Sequence, residues 1–216
     1  MKVLIGIIGN RQQPMRSNRC ISSLHWQRCG RIVSGTATKE GIRLIYFTSD
    51  LHLGHPAIIH MRNRPFTDVE DMNQKLVNNY NAVVKKNDTV YILGDICHRL
   101  KVEDANELIS KLNGKKILVS GNHDKKYSGS LFSEICDFKT VSLHGQYFVL
   151  MHYPLLSWPQ MYRGSIHLHG HIHGSAEGNM SNLHNNILRY DVGVDANGFY
   201  PVSIETILKY FEHAGG

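Results

Sequence analysis

The chain has 216 residues, 42% of them apolar and 19% charged, enough for one domain that buries a core without disulfide or metal staples. The apolar run at residues 3–8 is far short of the ~20 residues of a membrane span, and four scattered cysteines form no CxxC pair. These features exclude a disulfide scaffold and a thiolate zinc site, and they point to a reducing, cytoplasmic setting with no membrane partner. The net charge of +6 lies wholly in residues 1–41, which hold seven basic side chains and one acid; the remaining 17 basic and 17 acidic groups balance. The body therefore has no electrostatic footprint for nucleic acid. Fourteen histidines against ten Asp and eight Glu direct attention to metal or acid–base chemistry.

Residues 1–41 read poorly as folded structure. After the apolar run, residues 10–19 are polar with neither a 2.0 nor a 3.6 period. Lys2 before an apolar patch resembles a secretion signal, but the patch is too short and no small-residue cleavage site follows closely. The stretch before Glu40 contains Arg and Ser and lacks acids, as organelle transit peptides do. The expectation is a basic, disordered extension, or a translation start assigned too far upstream, followed by one domain over residues 42–216.

From residue 42 strands and helices alternate. Residues 42–48 form a β-rich run ending at Ser49-Asp50. The stripe Val69, Met72, Leu76, Val77, Tyr80, Val83 and Val84 predicts a helix over residues 68–86 with Asp68 as N-cap. Residues 88–93 are the next strand, and residues 103–112 the next helix, closed by Asn113-Gly114. Residues 116–119 are a third strand ending at Gly121-Asn-His-Asp124. This β-α-β-α-β order predicts parallel strands with crossover helices. The second half reads as more purely β: strands at 138–143 and 146–151 flank a His144-Gly145 turn, and further strands lie at 165–169 and 187–194. Ser203 caps a last helix running through Phe211.

Five polar clusters sit where a predicted strand gives out: Asp50-Leu-His52, Gly94-Asp95, Gly121-Asn-His-Asp124, His152 and Gly170-His-Ile-His173. Ligands of α/β sheets collect at the carboxyl ends of strands, so the clusters should converge in one crevice. Alone, each is an ordinary turn or cap. Together, in one domain, they offer two Asp, four His and one Asn as oxygen and imidazole donors, a set that suits Zn, Mn or Fe. Seven donors exceed one tetrahedral ion and match two ions, about 3.5–4 Å apart, sharing a carboxylate.

In this order the clusters resemble the calcineurin-like metallophosphoesterase family, whose pattern is D-x-H, G-D, G-N-H-[DE], H and G-H-x-H. The resemblance covers about residues 43–211. It implies a four-layer α/β/β/α sandwich with mixed sheets and two divalent metal ions. One ion would be held by Asp50, His52, Asp95 and His173, the other by Asp95, Asn122, His152 and His171, with Asp95 as the bridge. It further implies hydrolysis of phosphate esters by in-line attack of a hydroxide shared by the ions. His123 would stabilise charge on phosphorus or protonate the departing oxygen, and Asp124 would orient His123 or cap a helix.

The substrate class is less specific. Gly94-Asp95-Ile-Cys-His-Arg99 resembles the G-D-x-V-D-R-G run of protein phosphatases, but His98, Leu100 and Ser120 depart from that pattern. The intact G-N-H differs from the G-N-R of the lipid A pathway pyrophosphatases. Residues 53–66 resemble small bacterial and phage phosphoesterases of unassigned substrate; the expected substrate is a small phosphate ester, a diester rather than a phosphoprotein, with Arg99, His98 and His55 as candidate contacts. Two alternatives remain: a nuclease of the double-strand-break repair type, or a catalytically inactive scaffold of the same fold that binds proteins. His25, His60, His144, His167, His169, His184 and His213 belong to no constellation, and Cys97 reads as a small buried hydrophobe without an evident base.

Overall fold

A computed structural model of the protein describes residues 43–212; the expected basic extension lies outside them. In chain order the elements are β1 (Ile45–Thr48), α1 (Pro56–Met61), α2 (Val69–Val83), β2 (Thr89–Ile92), α3 (Val102–Ser110), β3 (Lys115–Val119), β4 (Glu134–Cys136), β5 (Lys139–Leu143), β6 (Gln146–Leu150), β7 (Ile166–His169), α4 (Ala176–His184), β8 (Arg189–Asp191), β9 (Val202–Ser203) and α5 (Ile204–Glu212). The strands form two mixed sheets, ordered β4-β3-β2-β1-β9 and β5-β6-β7-β8. β1 to β4 run parallel, with β9 antiparallel to β1, as the β-α-β-α-β pattern predicts for the first three strands. In the second sheet β5 and β6 form an antiparallel hairpin, and β6, β7 and β8 are parallel.

Strand side chains alternate between faces, and that period sorts the core into two. Tyr46, Val90, Ile92 and Leu118 face the helices and meet Ile58 of α1, Met72, Leu76 and Tyr80 of α2, and Ile109 of α3. Phe47, Tyr91, Leu93, Ile117 and Val119 face the second sheet and meet Phe148, Leu150, Ile166, Leu168 and Tyr190. Phe47 stacks between Tyr91 and Phe148, with ring centroids 5.3 and 5.9 Å away. Outside the second sheet, α4 packs on β8 and Trp158 lies over the buried His167. The layers are thus helices, sheet, sheet, and a thinner cover of helix and loop.

Local chemistry explains the boundaries. Asp68 Oδ1 accepts the Asp71 N–H at 2.8 Å and starts α2. His144 and Gly145 both take positive φ (51° and 81°), the twist that a two-residue hairpin turn between β5 and β6 requires. The second half is less purely β than its sequence suggests, because α4 has no apolar stripe to betray it. It is held instead by Ser175, whose hydroxyl caps Gly178 N–H, and by Asn179, which exchanges two hydrogen bonds with the Asp191 backbone. α1 escapes periodicity for another reason: six residues, opened by Pro56, are too few to show a period. No described helix is long and apolar enough to cross a membrane.

Candidate metal centre

Every predicted polar cluster lies just beyond the carboxyl end of its strand, and all meet in one crevice between the sheets. After β1 the chain runs beside the loop after β2, with Asp50, His52 and Leu53 N–H groups donating to the carbonyls of Gly94, Asp95 and Ile96 at 3.1, 3.0 and 2.9 Å. Leu51 and Leu53 are buried on the helical side, which anchors the segment while Asp50 and His52 are turned into the crevice. Asp50, His52, Asp95, Arg99, His171 and His173 all hold left-handed backbone, φ 47–71°. Such conformations cost of order 1–3 kcal/mol each and persist where the surroundings enforce them. Two glycines answer to close approach: a Cβ on Gly121 would collide with the Asp95 carboxylate, and one on Gly170 with Ser49 and Asp50.

The donors fall into two sets. Asp50, His52 and His173 form a deep set, with ligating atoms within 4.8 Å of one another. Nε2 of His52 and Nε2 of His173 each lie 3.9 Å from Asp50 Oδ1. Asp95, His152 and His171 form a second set within the same limit, and Asn122 joins it, its Oδ1 3.0 Å from His152 Nε2 and from His171 Nδ1. One atom lies between the two sets: Asp95 Oδ2 is 3.6 Å from His52 Nε2 and 3.5 Å from His152 Nε2.

These residues fit divalent cations. Asp50 Oδ1 and both ring nitrogens of His52 are buried with no hydrogen-bond partner, a costly state that a cation relieves. Burial raises the Asp50 pKa to about 6. Burial also pushes Asp95 upward, but hydrogen bonds from His152 and from the His123 N–H outweigh it and bring Asp95 down to about 2, so its carboxylate is ionised. Burial, then His173, lowers His52 to about 2, and burial lowers His171; both are neutral imidazoles with a lone pair to give. Burial acts the same way on His152, yet its bonds to Asp95 and to the Leu93 carbonyl reverse the sign and raise it.

Ring orientation is set from behind. His152 Nδ1 is 2.7 Å from the Leu93 carbonyl and His173 Nδ1 is 2.8 Å from Asp195 Oδ2, which places the proton on Nδ1 and leaves Nε2 to face the centre. Asp195 is itself gripped by the buried Arg64 through two bonds of 2.8 Å. The same guanidinium donates to the carbonyls of Asp50 (2.8 Å) and Leu51 (2.9 Å), pinning the left-handed turn after β1. Burial would raise Asp195, but His173 and Arg64 hold it down at about 2. Asp191 accepts the N–H of Gly174 at 2.9 Å and of Gly193 at 2.7 Å. Sequence inspection overlooked Arg64, Asp191 and Asp195. Yet Asp191 ends β8 just as the ligand clusters end their strands, and Asp195 lies in the 3-10 turn that follows, so the same rule applied to that strand finds them.

His123 is exposed at the mouth, its N–H on Asp95 Oδ1 at 2.8 Å and its ring 5.5 Å from that of His52. The expected role of Asp124 needs correction. Its carboxylate accepts the N–H groups of Asp95 (2.9 Å), Ile96 (3.0 Å) and Gly121 (2.8 Å) and the Tyr127 hydroxyl (2.9 Å), so it fastens the loops after β2 and β3 together. It neither orients the His123 ring nor caps a helix, because no helix follows it. His55 and His98 stack with centroids 3.9 Å apart, and His98 lies 4.4 Å from His123. Arg99 is exposed beside them. Burial pushes the Cys97 thiol up to about 12, which suits an inert core residue. His167 and His169 are buried outside both sets; His167 donates to the Val149 carbonyl and accepts the Leu155 N–H.

Residues 43–175 match the family model described as calcineurin-like phosphoesterase. An uncharacterized protein of Methanocaldococcus jannaschii is 37% identical over 172 residues, covering 79% of this chain and 93% of that protein. The gene 66 protein of Mycobacterium phage L5 is 43% identical over 81 residues, 37% of this chain and 39% of its own. Among solved structures, a protein of unknown function from Aquifex aeolicus, AQ665, superposes with a TM-score of 0.63 at 29% identity, covering 78% of this chain and 99% of that one.

Proposed function

The chain belongs to the calcineurin-like phosphoesterase family, whose members hydrolyse phosphate esters with divalent metals, and from that premise we propose that it is a two-cation phosphodiesterase acting on small, monoanionic esters. The observation that carries this reading is the position of Asp95 Oδ2, within 3.6 Å of an imidazole from each donor set. An ionised carboxylate there would hold two cations side by side, and no donor of the seven is missing from the crevice. That completeness disfavours an inactive scaffold.

Two divalent ions, Mn, Zn or Fe by the donor chemistry, would supply Lewis-acid charge for the phosphoryl oxygens and a water nucleophile near neutral pH. The protein's own part is to position and to handle protons. Asp50, His52 and His173 form the closed floor, Asn122 and His171 the open rim, and Asp124 keeps the two loops in register. His123, at the mouth, has a ring free of hydrogen bonds to the described residues, so it is available to the ester as a donor. Tyr153, exposed, has its ring centroid 4.5 Å from that of His171 and offers an apolar wall for an organic ester arm.

The charge supply favours a diester over a monoester dianion. Burial lowers His55 to about 4 and lowers His98 as well, so both are neutral near pH 7. Lys125 is committed to the Leu100 carbonyl. Arg99 is then the one fixed cation among the candidate substrate contacts. Beyond the cations themselves, this one protein charge fits the single negative charge of a diester's phosphoryl oxygens better than the two of a monoester.

The test is turnover of bis(p-nitrophenyl) phosphate and p-nitrophenyl phosphate by metal-free protein supplemented with Mn²⁺ or Zn²⁺. Metal-dependent hydrolysis with the diester preferred is the expected result. Preference for the monoester would overturn the substrate class, and no turnover of either would overturn the enzymatic reading.

A further inference from the structure

Beside the two donor sets lies a third group of imidazoles that neither uses in full. One ring nitrogen each of His52, His55 and His98 lies within 4.8 Å of one on each of the others. His52 is 2% exposed and His98 8% exposed. The Nδ1 atoms of all three are buried without a hydrogen-bond partner. The contrast with His152 and His173 is direct, since their Nδ1 atoms are tied to a carbonyl and a carboxylate. Buried polar atoms are nearly always paired, so three unpaired Nδ1 atoms on neighbouring rings call for an occupant, toward which the stacked rings of His55 and His98 would turn.

We propose that His52, His55 and His98 form a third divalent-cation site, adjoining the deep donor set and sharing His52 with it; the His52 ring would then bridge as an imidazolate, one nitrogen to each site, with its ring proton released to solvent. A nitrogen-only set selects Zn²⁺, Co²⁺ or Ni²⁺ and discriminates against Mn²⁺ and Mg²⁺, which prefer oxygen. The two other sets each include a carboxylate and accept either kind. With no carboxylate and with a His52 proton to displace, the third site is the weakest of the three. Tetrahedral zinc places nitrogen ligands at about 2.0–2.1 Å, and hence about 3.3 Å from one another, so the trio must close by up to roughly 1.5 Å. His55 has the freedom to do so: it precedes the six-residue α1 and its side chain makes no capping bond. The His98 ring lies 4.4 Å from His123, so a cation here adds positive charge on the side from which His123 meets an ester. This inference shares a residue with the two-cation reading but does not depend on which ester is cleaved.

The experiment is metal content per chain. Full-length protein, stripped with chelator, is equilibrated with buffered free Zn²⁺ or Mn²⁺, separated from unbound metal and counted by mass spectrometry. Wild type should hold three Zn²⁺ but two Mn²⁺. His55→Ala and the volume-conserving His98→Gln should each hold two Zn²⁺ and still two Mn²⁺, with melting temperatures reported alongside to show that they fold. Titration with Co²⁺ should show a third visible absorption step in wild type that both variants lack. Two Zn²⁺ in wild type would overturn the proposal, leaving the nitrogens to water. Three Zn²⁺ retained in the variants would place the extra ion elsewhere and overturn it equally, as would a fall in their Mn²⁺ count, which would merge the trio with the two main sets. A wild-type Mn²⁺ count below two is a failure of the two-cation reading instead, and the zinc difference between wild type and His55→Ala still reads the third site.

Discussion

The two donor sets flank one carboxylate oxygen yet are built differently. The deep set is closed off: Asp50 and His52 are buried, and His173 is held through Asp195 by Arg64, a guanidinium that also pins the backbone of Asp50 and Leu51. The rim set has Asp95 and His152 in the floor, but His171 is half-buried and Asn122 is exposed, with no ion pair behind either. A cation in the deep set meets ligands already oriented. One at the rim meets ligands with freedom to move, beside the mouth where an ester enters. The comparison teaches that preorganisation and access are divided between the two positions. The deep one should bind tightly and exchange slowly; the rim one should be weaker and closer to the chemistry.

The largest effect should come from removing the charge between the two sets. Asp95→Asn keeps size and one acceptor but not the anion between the cations. Metal analysis should show one ion per chain, the rim ion having been lost, and hydrolysis should fall to background. Two ions bound by the variant would refute the bridging role and dissolve the comparison.

Next in size is His123→Ala. Both ions should remain, while kcat falls by roughly 10²–10⁴, the span of a general acid's contribution. The loss should be smaller with a nitrophenolate leaving group than with an alkoxide if His123 supplies a proton, and equal for both if it only stabilises charge. Loss of an ion would instead make His123 a ligand.

Asp195→Asn sharpens the comparison itself. It leaves every ligand in place but weakens the hold on His173 and leaves Arg64 underpaired. Affinity at the deep position should drop about 10- to 100-fold, the usual consequence of disturbing a ligand's supporting carboxylate, with the rim affinity unchanged. Sequential Co²⁺ titration separates the two. A matching loss at the rim would show that the brace supports the whole centre rather than one half of it.

The smallest effect concerns His167, on the same strand as the path to His171 but with both ring nitrogens satisfied by protein. Burial lowers its pKa to about 4, against about 6.5 when unfolded. The unfolded state therefore binds the proton first, and stability from this group is complete above pH 6.5 and declines as pH falls toward 4. Urea unfolding of metal-free protein should show His167→Gln losing less stability than wild type between pH 7 and pH 6, by under about 1 kcal/mol. An equal loss would mean that His167 titrates normally and is not sealed under Trp158.

Legibility followed the length scale of the signal. Asp50, His52, Asp95, Asn122, His152, His171 and His173 were all visible because each stands where a clear apolar run stops, and the parallel order of the first three strands fixes which ends come together. α2 was equally plain, with seven apolar positions at helical spacing. What escaped was whatever lacks a period. α4 is held by Asn179 and Ser175 rather than by an apolar face, and β4 and β9 have three and two residues. The brace was hidden for another reason: Arg64 and Asp195 are ordinary loop residues until a contact across 131 positions unites them. Asp124 misled because its neighbour in sequence, His123, is not its neighbour in bonding.

The span of that brace bears on how the protein is made. A chain emerging from the ribosome presents Asp50 and His52 early, Asp95 and Asn122 next, His171 and His173 later still. Arg64 waits buried-to-be and unmatched until Asp195 follows, past the end of the family-matched segment at residue 175. Until then the Arg64 that pins the turn after β1 is itself unanchored, and His173 has no carboxylate to fix its tautomer. On the two-cation reading, a nascent chain stalled before residue 195 would hold all seven ligands yet lack the carboxylate that aims His173.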